Sequence, residues 1–121
     1  MLNSNPRIGV LYSRVRVEEK WIFAALEQRS INYDRINDGK VIFDLNDPAP
    51  WQDYDIVLER SLSHMRGLYA LRMLNAWGIP TVNSARVAEI CGDKLSTTAA
   101  LSAAGIPQPK EIGRASCRER V

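Results

Sequence analysis

The sequence predicts a small α/β domain built on a parallel sheet, and two observations indicate it. Short apolar runs of strand length alternate with longer segments of helical periodicity. Such alternation is typical of parallel strands that are joined by right-handed crossover helices. With 121 residues, of which 45% are hydrophobic and 25% charged, the chain has the size and balance of one globular domain. We therefore expect a Rossmann-like domain, followed by one helix that begins another fold.

The chain begins with a predicted strand and a predicted helix. Residues 8–12 form a compact apolar run that is too short for a helix and suits a buried strand. Residues 18–29 then carry apolar side chains at helical spacing, with charged residues between them. Glu18 and Glu19 stand at the start of this segment, where the helix dipole favours acidic residues.

Three further short segments predict strands. Residues 31–36 read as the second strand, and the turn signal at residues 37–39 comes directly after it. The apolar residues 41–43 after that turn predict another strand, at the edge of the sheet or in a hairpin. Residues 55–59 form a further buried-strand candidate.

The second helix has both of its ends marked in the sequence. Ser63 can cap its start, and Gly78 followed by Pro80 marks its end in the expected order. Its apolar residues recur at threefold spacing and are Met65, Leu68, Leu71 and Leu74.

The last third of the chain predicts one short strand and two helices. Residues 81–82 would form the strand, and Ser84 would cap a helix that runs through Cys91. We expect Cys91 to pack on the apolar side of this helix. Asp93 would cap the final helix at residues 94–104, and Gly105 would close it.

Composition excludes several classes of function. The net charge is only +2, and the basic residues are scattered among acidic ones. The sequence therefore shows no basic cluster of the kind that binds nucleic acids. No apolar run approaches the roughly 18–20 residues that a membrane span needs, and the amino terminus lacks a signal core. The two cysteines, Cys91 and Cys117, suggest neither a metal site nor a disulfide framework. We expect a reduced, cytoplasmic protein; whether it forms a homo-oligomer is left open.

The terminal segment, residues 111–121, reads unlike the rest of the chain. It has no apolar periodicity, and its back-translation matches a common sequencing adapter in one reading frame. A natural basic tail is the alternative. We expect a translated adapter that truncates a longer protein, and we exclude it from the fold.

Two loops are the candidate ligand-binding elements. Residues 13–16 come after the first strand, and residues 60–63 lead into a helix start that also carries Arg66. Ligands of open α/β sheets bind beyond the carboxyl ends of the strands. Arginines, hydroxyls and free backbone amides suit a carboxylate or a phosphate. For each residue alone, capping or solvation is the simpler interpretation; the two loops together favour anion binding.

Other patterns of known chemistry are missing from the sequence. There is no Gly-x-Gly-x-x-Gly turn and no P-loop, which disfavours the usual dinucleotide and nucleoside triphosphate sites. The single histidine, His64, has no catalytic partner in sight, and the acidic residues lack metal-ligand spacing. We therefore assign no catalytic residue and no metal ligand.

A succession of short motifs resembles the junction between a pre-ATP-grasp domain and an ATP-grasp fold. It runs through Gly-Ile-Pro-Thr-Val-Asn-Ser at residues 78–84, Cys-Gly-Asp-Lys at 91–94 and Ala-Ala-Gly-Ile-Pro-Gln-Pro at 103–109. Residues 11–16 and 58–63, with Arg-Gly-Leu after them, narrow the resemblance to the LysX and ArgX group of RimK-like ligases. The resemblance covers residues 6–110. It implies a pre-ATP-grasp domain at 1–92 and the truncated start of an ATP-grasp domain at 93–110.

The resemblance implies an activity for the longer parent protein. LysX and ArgX ligases use ATP and Mg²⁺ to join α-aminoadipate or glutamate to the carrier protein LysW, through an acyl phosphate, in lysine or arginine biosynthesis. By the same resemblance Lys94 would contact the nucleotide phosphates, for which a compact ammonium group is well suited. The residues that match the substrate-facing side are Arg14, Arg16, Arg60, Ser61 and Ser63. The 121-residue chain itself would be inactive, since the metal-binding lobes lie beyond it.

Two alternatives to this function stay open. The parent could be another RimK-like ligase, one that adds glutamate to a protein or cofactor. The chain could also be a self-contained α/β module that binds a small acid without catalysis. A reading frame that continues past Lys110 with ATP-grasp motifs would favour a ligase; a natural stop codon after a stable domain would favour the module.

Overall fold

Four parallel strands form one sheet in the computed structural model, which describes residues 4–110. The strands are β1 (Arg7–Tyr12), β2 (Asn32–Asn37), β3 (Ile56–Arg60) and β4 (Thr81–Val82), in the order β2-β1-β3-β4. β1 lies in the centre and pairs with β2 on one side and β3 on the other. The predicted α/β class with a parallel sheet is therefore confirmed. The segment interpreted as an adapter, residues 111–121, lies outside the described residues.

Four helices lie where the sequence predicts them, within about two residues at each end. They are α1 (Val17–Gln28), α2 (His64–Ala76), α3 (Ala85–Gly92) and α4 (Lys94–Ala103), and a 3-10 turn occupies Ala49–Trp51. Ser63 caps α2 as expected, because its hydroxyl accepts a hydrogen bond of 3.3 Å from the Arg66 amide. Gly78 and Gly105, after α2 and α4, have φ of 76° and 74°, the left-handed backbone that glycine tolerates best.

The core lies where α2 and the 3-10 turn cover the central strands. Leu11 of β1, Val57 of β3 and Leu74 of α2 are 0% exposed and belong to one apolar cluster. Val10 and Leu11 are consecutive and both buried, so β1 is covered on both faces, which is the reason why it reads as a continuous apolar run. The threefold pattern of α2 is confirmed for the buried Leu68, Leu71 and Leu74, whereas Met65 is 52% exposed.

Two expectations are wrong. Residues 41–43 form no strand: Phe43 stacks on Trp51, with ring centroids 4.9 Å apart, and also contacts Trp77. Aromatic packing, not pairing with a strand, therefore holds this segment against the core. Cys91 is exposed and does not pack as expected, because apolar spacing on so short a helix does not guarantee a partner surface.

An ion pair fastens the amino-terminal end of β1 to β2. Arg7 donates hydrogen bonds of 2.9 Å and 2.7 Å to one carboxylate oxygen of Asp34, which also accepts 2.9 Å from the Tyr54 hydroxyl. Burial, reinforced by the neighbouring Asp34 carboxylate, raises the pKa of Tyr54 to about 12. This cluster lies at the end of the strand opposite to the candidate ligand loops.

The chain divides into two compact units, the first ending at Ala88 and the second beginning at Glu89. In the second unit Asp93 caps α4, and the Thr97 hydroxyl donates 2.7 Å to the Ile90 carbonyl. The predicted domain boundary at residue 92 stays a prediction, since α3 spans the division. Between residues 4 and 110, none of the helices has the length and apolar character that crossing a membrane requires.

Candidate functional site

The two predicted ligand loops lie side by side at the carboxyl edge of the sheet. β1 and β3 are hydrogen-bonded neighbours, and Tyr12 at the end of β1 pairs with Arg60 at the end of β3. The Leu62 amide donates a hydrogen bond of 2.9 Å to the Ser13 hydroxyl and so links the loops directly. The strand register therefore brings together two segments that are almost 50 residues apart in sequence.

Glu19 of α1 organises this edge, and its side chain is 0% exposed. Arg16 donates to its carboxylate from the backbone amide at 3.0 Å, from Nε at 3.0 Å and from a terminal nitrogen at 2.7 Å. Arg60, 41 residues later in the chain, donates from Nε to Oε1 of Glu19 at 3.1 Å, and one of its terminal nitrogens lies 3.0 Å from the same oxygen. The Arg16 hydrogen bonds, which outweigh the opposing effect of burial, lower the pKa of Glu19 to about 2.

Both arginines remain accessible although they share a buried anchor. The side chain of Arg16 is 37% exposed and that of Arg60 is 32% exposed. Each guanidinium has five N–H donors, and Glu19 occupies only part of them. The direct ion pairs join two positive charges to one negative charge at fixed positions, and the exposed Glu18 also acts electrostatically on Arg16. The cluster can therefore bind a carboxylate or a phosphate with little loss of side-chain entropy.

The remaining predicted side chains are arranged less uniformly. Arg14 is exposed, and among residues 4–110 nothing hydrogen-bonds or pairs with its guanidinium. Ser61 donates its amide to Glu59 at 2.5 Å, while its buried hydroxyl has no hydrogen-bond partner in the described part of the chain. Ser63 is engaged as the cap of α2, so the simpler interpretation holds for it. Whether Arg14, Ser61 or Ser63 contacts a substrate stays a prediction.

The side chain of Glu59 lies close to the first turn of α2. A Cβ built on Gly67 would lie 2.6 Å from Oε1 of Glu59, so only glycine leaves room for this carboxylate at the first turn of the helix. The same oxygen accepts the Ser61 amide. The absence of a side chain at residue 67 therefore lets the Glu59 carboxylate lie against the helix while it accepts the Ser61 amide.

Lys94, the predicted nucleotide contact, is the first residue of α4 and is exposed. Asp93 Oδ1 accepts the amides of Leu95 at 2.9 Å and Ser96 at 3.3 Å. Hydrogen bonding from Ser96 holds the pKa of Asp93 below its usual range. Because this carboxylate occupies the helix amides, a phosphate near this helix end would meet chiefly the Lys94 ammonium.

Two residues of this site, Glu19 and Asp38, are not predicted as site residues from the sequence. The sequence predicts for Glu19 only an acidic residue in the first turn of a helix, where the helix dipole favours it. Its second partner, Arg60, is too distant in sequence to be inferred. Asp38, whose carboxylate accepts a short hydrogen bond from Ser13, comes directly after β2. The rule that selects residues after strand ends could have found Asp38. In the described range no three histidine, cysteine or acidic side chains are grouped so as to hold a metal ion.

Comparison with known proteins identifies close relatives. Residues 8–90 match the model of the LysX preATP-grasp domain. The chain is 37% identical over 110 residues to a glutamate–LysW ligase ArgX of Sulfurisphaera tokodaii, and 36% identical to that of Sulfolobus acidocaldarius. An α-aminoadipate–LysW ligase LysX of Sulfurisphaera tokodaii is 28% identical over 109 residues.

These matches cover most of this chain but a minor part of the relatives. The two ArgX alignments span 88% of this chain and 37% of each relative. The fold also matches the crystal structure of a RimK domain ATP-grasp protein from Sphaerobacter thermophilus, with a TM-score of 0.69 and 24% identity, over 86% of this chain and 39% of that one. The family model spans well over half of the sequence, and the chain belongs to the LysX preATP-grasp domain family.

Proposed function

We propose that this chain is the amino-terminal part of an ATP-dependent ligase that joins an amino acid to a LysW-like carrier protein through an amide bond. Its relatives bear the names glutamate–LysW ligase and α-aminoadipate–LysW ligase. The chain spans about 37% of the length of the ArgX relatives, so the proposal concerns the longer protein. The proposed boundaries are residues 1–92 for the pre-ATP-grasp domain and 93–110 for the start of the ATP-grasp domain.

The observation that carries the proposal is the arginine pair anchored on Glu19. Arg16 and Arg60 present guanidinium groups at the carboxyl edge of a parallel sheet, the usual ligand position in such folds. An amino acid with an acidic side chain offers carboxylates, for which guanidinium donors are the best matched partners. We assign this pair to carboxylate binding, with Arg14, Ser61 and Ser63 as further candidates at the rim of the same site.

Glutamate is the preferred amino acid in this proposal. Identity to the two glutamate-specific relatives is 37% and 36%, against 28% for the α-aminoadipate-specific one. α-Aminoadipate remains the second candidate. Another RimK-like glutamate ligase, or a module that binds a small acid without catalysis, would use the same arginine pair and would differ only in the part of the protein after residue 110.

ATP and Mg²⁺ are the proposed cofactors of the longer protein, where ATP would supply the phosphoryl group that converts a substrate carboxylate into an acyl phosphate, with ADP as the leaving group. Within residues 4–110, Lys94 is the residue that we assign to the phosphates. The chemistry of the described residues is otherwise a poor fit, because Asp93 occupies the amides of α4 and no group of metal ligands is formed. The remaining contacts would therefore come from ATP-grasp lobes after residue 110. Since ATP is available in the cytoplasm, we propose a cytoplasmic enzyme.

The direct test is to recover the encoding DNA, extend the reading frame beyond Lys110 and assay the extended protein. It should add one glutamate to a LysW-like protein in the presence of ATP and Mg²⁺, detected as an increase in the mass of the carrier with release of phosphate. The 121-residue chain alone should form no amide. An extended frame without ATP-grasp motifs, or activity with the short chain, would refute the proposal.

A matched pair of variants tests the arginine site in the extended enzyme. Arg16→Gln should raise the KM for glutamate at least tenfold, because a charged hydrogen-bond donor is worth about 1.5–3 kcal/mol. Arg86→Gln changes the same residue type at an exposed position of α3, outside both ligand loops, and serves as the control. Equal effects of the two variants would show that the anchored pair has no special part in substrate binding.

A further inference from the structure

A cavity of about 280 Å³ is separate from the arginine pair, since neither Arg16 nor Arg60 lines it. Its apolar walls come from the end of β1, from the segment that replaces the predicted third strand, and from the first turns of α2. The residues that line these walls include Leu11, Val41, Phe43 and Tyr69. Its polar groups are Asp38 and Arg66, so an apolar slot is combined with a single pair of opposite charges.

Asp38 is a buried carboxylate whose hydrogen bonding is incomplete. Its side chain is 5% exposed, and one oxygen accepts a hydrogen bond from Ser13. The other oxygen, Oδ1, receives no hydrogen bond in the described part of the chain, and the nearest cation is a terminal nitrogen of Arg66 at 3.6 Å. That distance is too long for a hydrogen bond. Among the described residues the fully buried side-chain atom without a partner is Ser61 Oγ and not Asp38 Oδ1. Oδ1 is therefore not enclosed by protein, and it can accept a hydrogen bond from a ligand.

Arg66 supplies the complementary charge at the mouth of the cavity. Its side chain is 62% exposed, and its guanidinium lies next to Gly39, where an added Cβ would be 3.9 Å away. The guanidinium can therefore turn from Asp38 towards a ligand at small cost. The Asp38 carboxylate, which can accept hydrogen bonds from a cation, thus lies beside the Arg66 guanidinium, which can donate to an anion. The first side chain is almost buried and the second is exposed.

A ligand that satisfies both groups must carry an ammonium and a carboxylate close together. In an α-amino acid these groups are attached to one carbon atom, which agrees with the short separation of Asp38 and Arg66. The cavity of about 280 Å³ far exceeds the roughly 10–15 Å³ that one water needs, so it has room for a small molecule. The apolar walls would desolvate a charged side chain, so they disfavour glutamate or α-aminoadipate here.

We propose that this cavity binds an α-amino acid with an uncharged aliphatic or aromatic side chain. The ammonium group donates to Asp38 Oδ1, the carboxylate accepts from Arg66, and the side chain lies along Val41, Phe43, Met65 and Tyr69. The site is distinct from the arginine pair in its charges and in its ligand. It does not depend on the ligase activity proposed above, because all of its residues lie in the first compact unit.

The test uses the intact 121-residue chain, isotope-labelled for NMR, and L-leucine as the probe. Leucine should bind saturably and shift the amide signals around Asp38, Arg66 and Tyr69. Two analogues of leucine test its two charged groups one at a time. 4-Methylpentanoate lacks the ammonium group, and 3-methylbutan-1-amine lacks the carboxylate. Each should bind at least tenfold more weakly. Glutamate should not shift these signals. No saturable leucine binding up to the order of 10 mM, or equal binding of either analogue, would overturn the proposal.

Variants of the protein give an independent measurement. Asp38→Asn and Arg66→Gln should each weaken leucine binding at least tenfold, while Asp47→Asn and Arg86→Gln, at exposed positions, should not change it. Met65→Trp should block the cavity, and the exposed position of Met65 lets the fold accept the larger ring. Retained binding in Met65→Trp would place leucine elsewhere and would contradict the proposal. The analogue series on the unaltered chain keeps the test decisive if a variant fails to fold.

Discussion

Replacement of Glu19 by glutamine should destabilise the domain strongly at neutral pH and much less in acid. Glu19 is 0% exposed, and its pKa falls from an ordinary 4.5 to about 2. A depression of that size corresponds to roughly 3 kcal/mol of stability from the ionised form. Removal of one partner from a buried ion pair costs about 3–5 kcal/mol, because the other charges are left uncompensated. We expect a loss in that range for Glu19→Gln at pH near 6.

The sign of the pH dependence is set by the direction of the shift. A depressed carboxylate pKa means that folding favours the ionised form, so the stabilisation is complete above the unfolded pKa of 4.5 and is lost as the pH falls towards 2. By about pH 3 the contribution of Glu19 should have fallen by roughly 2 kcal/mol. The difference between the native chain and Glu19→Gln should shrink by that amount.

The assay is urea denaturation of the 121-residue chain and its variants at a series of pH values. Glu18→Gln is the matched control, since Glu18 lies in the same first turn of α1 and is exposed. It should change stability by no more than about 0.5 kcal/mol. If Glu19→Gln were as mild as this control, or if it kept the acid dependence of the native chain, the reasoning about the buried anchor would be wrong.

Two further predictions concern local structure. Gly67→Ala should push the Glu59 carboxylate away, because the new Cβ would lie 2.6 Å from Oε1, and the Ser61 amide should lose its hydrogen bond. The gain in helix propensity of about 1 kcal/mol offsets much of the cost, so the readout is faster exchange of the Ser61 amide. Asp34→Asn should lower the pKa of Tyr54 from about 12, since the phenol then loses a charged acceptor. The readout is the absorbance of tyrosinate.

The predictions for Gly67→Ala and Asp34→Asn each have a control substitution at an exposed residue nearby. His64→Ala, at the exposed start of α2, should leave the Ser61 amide unchanged. Asp53→Asn, at an exposed carboxylate 3.7 Å from Arg7, should leave the Tyr54 titration unchanged. A Ser61 amide that exchanges equally slowly in Gly67→Ala, or a Tyr54 midpoint that does not move in Asp34→Asn, would contradict the corresponding contact.

Local sequence signals account for the elements and for the position of the ligand loops. The caps Ser63 and Asp93 act within four residues of their targets, so a sequence pattern can reveal them. Glu19 is different, because its burial depends on Arg60 across the strand register. The error at residues 41–43 has a similar origin: an apolar run shows that a segment is attracted to a core, and it does not show whether strands or aromatic rings receive it.

The order of the strands also has a consequence for solubility. Edge strands offer unpaired backbone groups to other chains, and natural sheets limit this risk with short or charged edges. One edge is β4, which is only Thr81–Val82. The other is β2, where Asp34 and Arg35 interrupt the apolar pattern. Both edges therefore carry features that limit intermolecular β-pairing. Arg35→Val should promote aggregation, and it would also remove the guanidinium that lies 4.1 Å from the centre of the Phe23 ring.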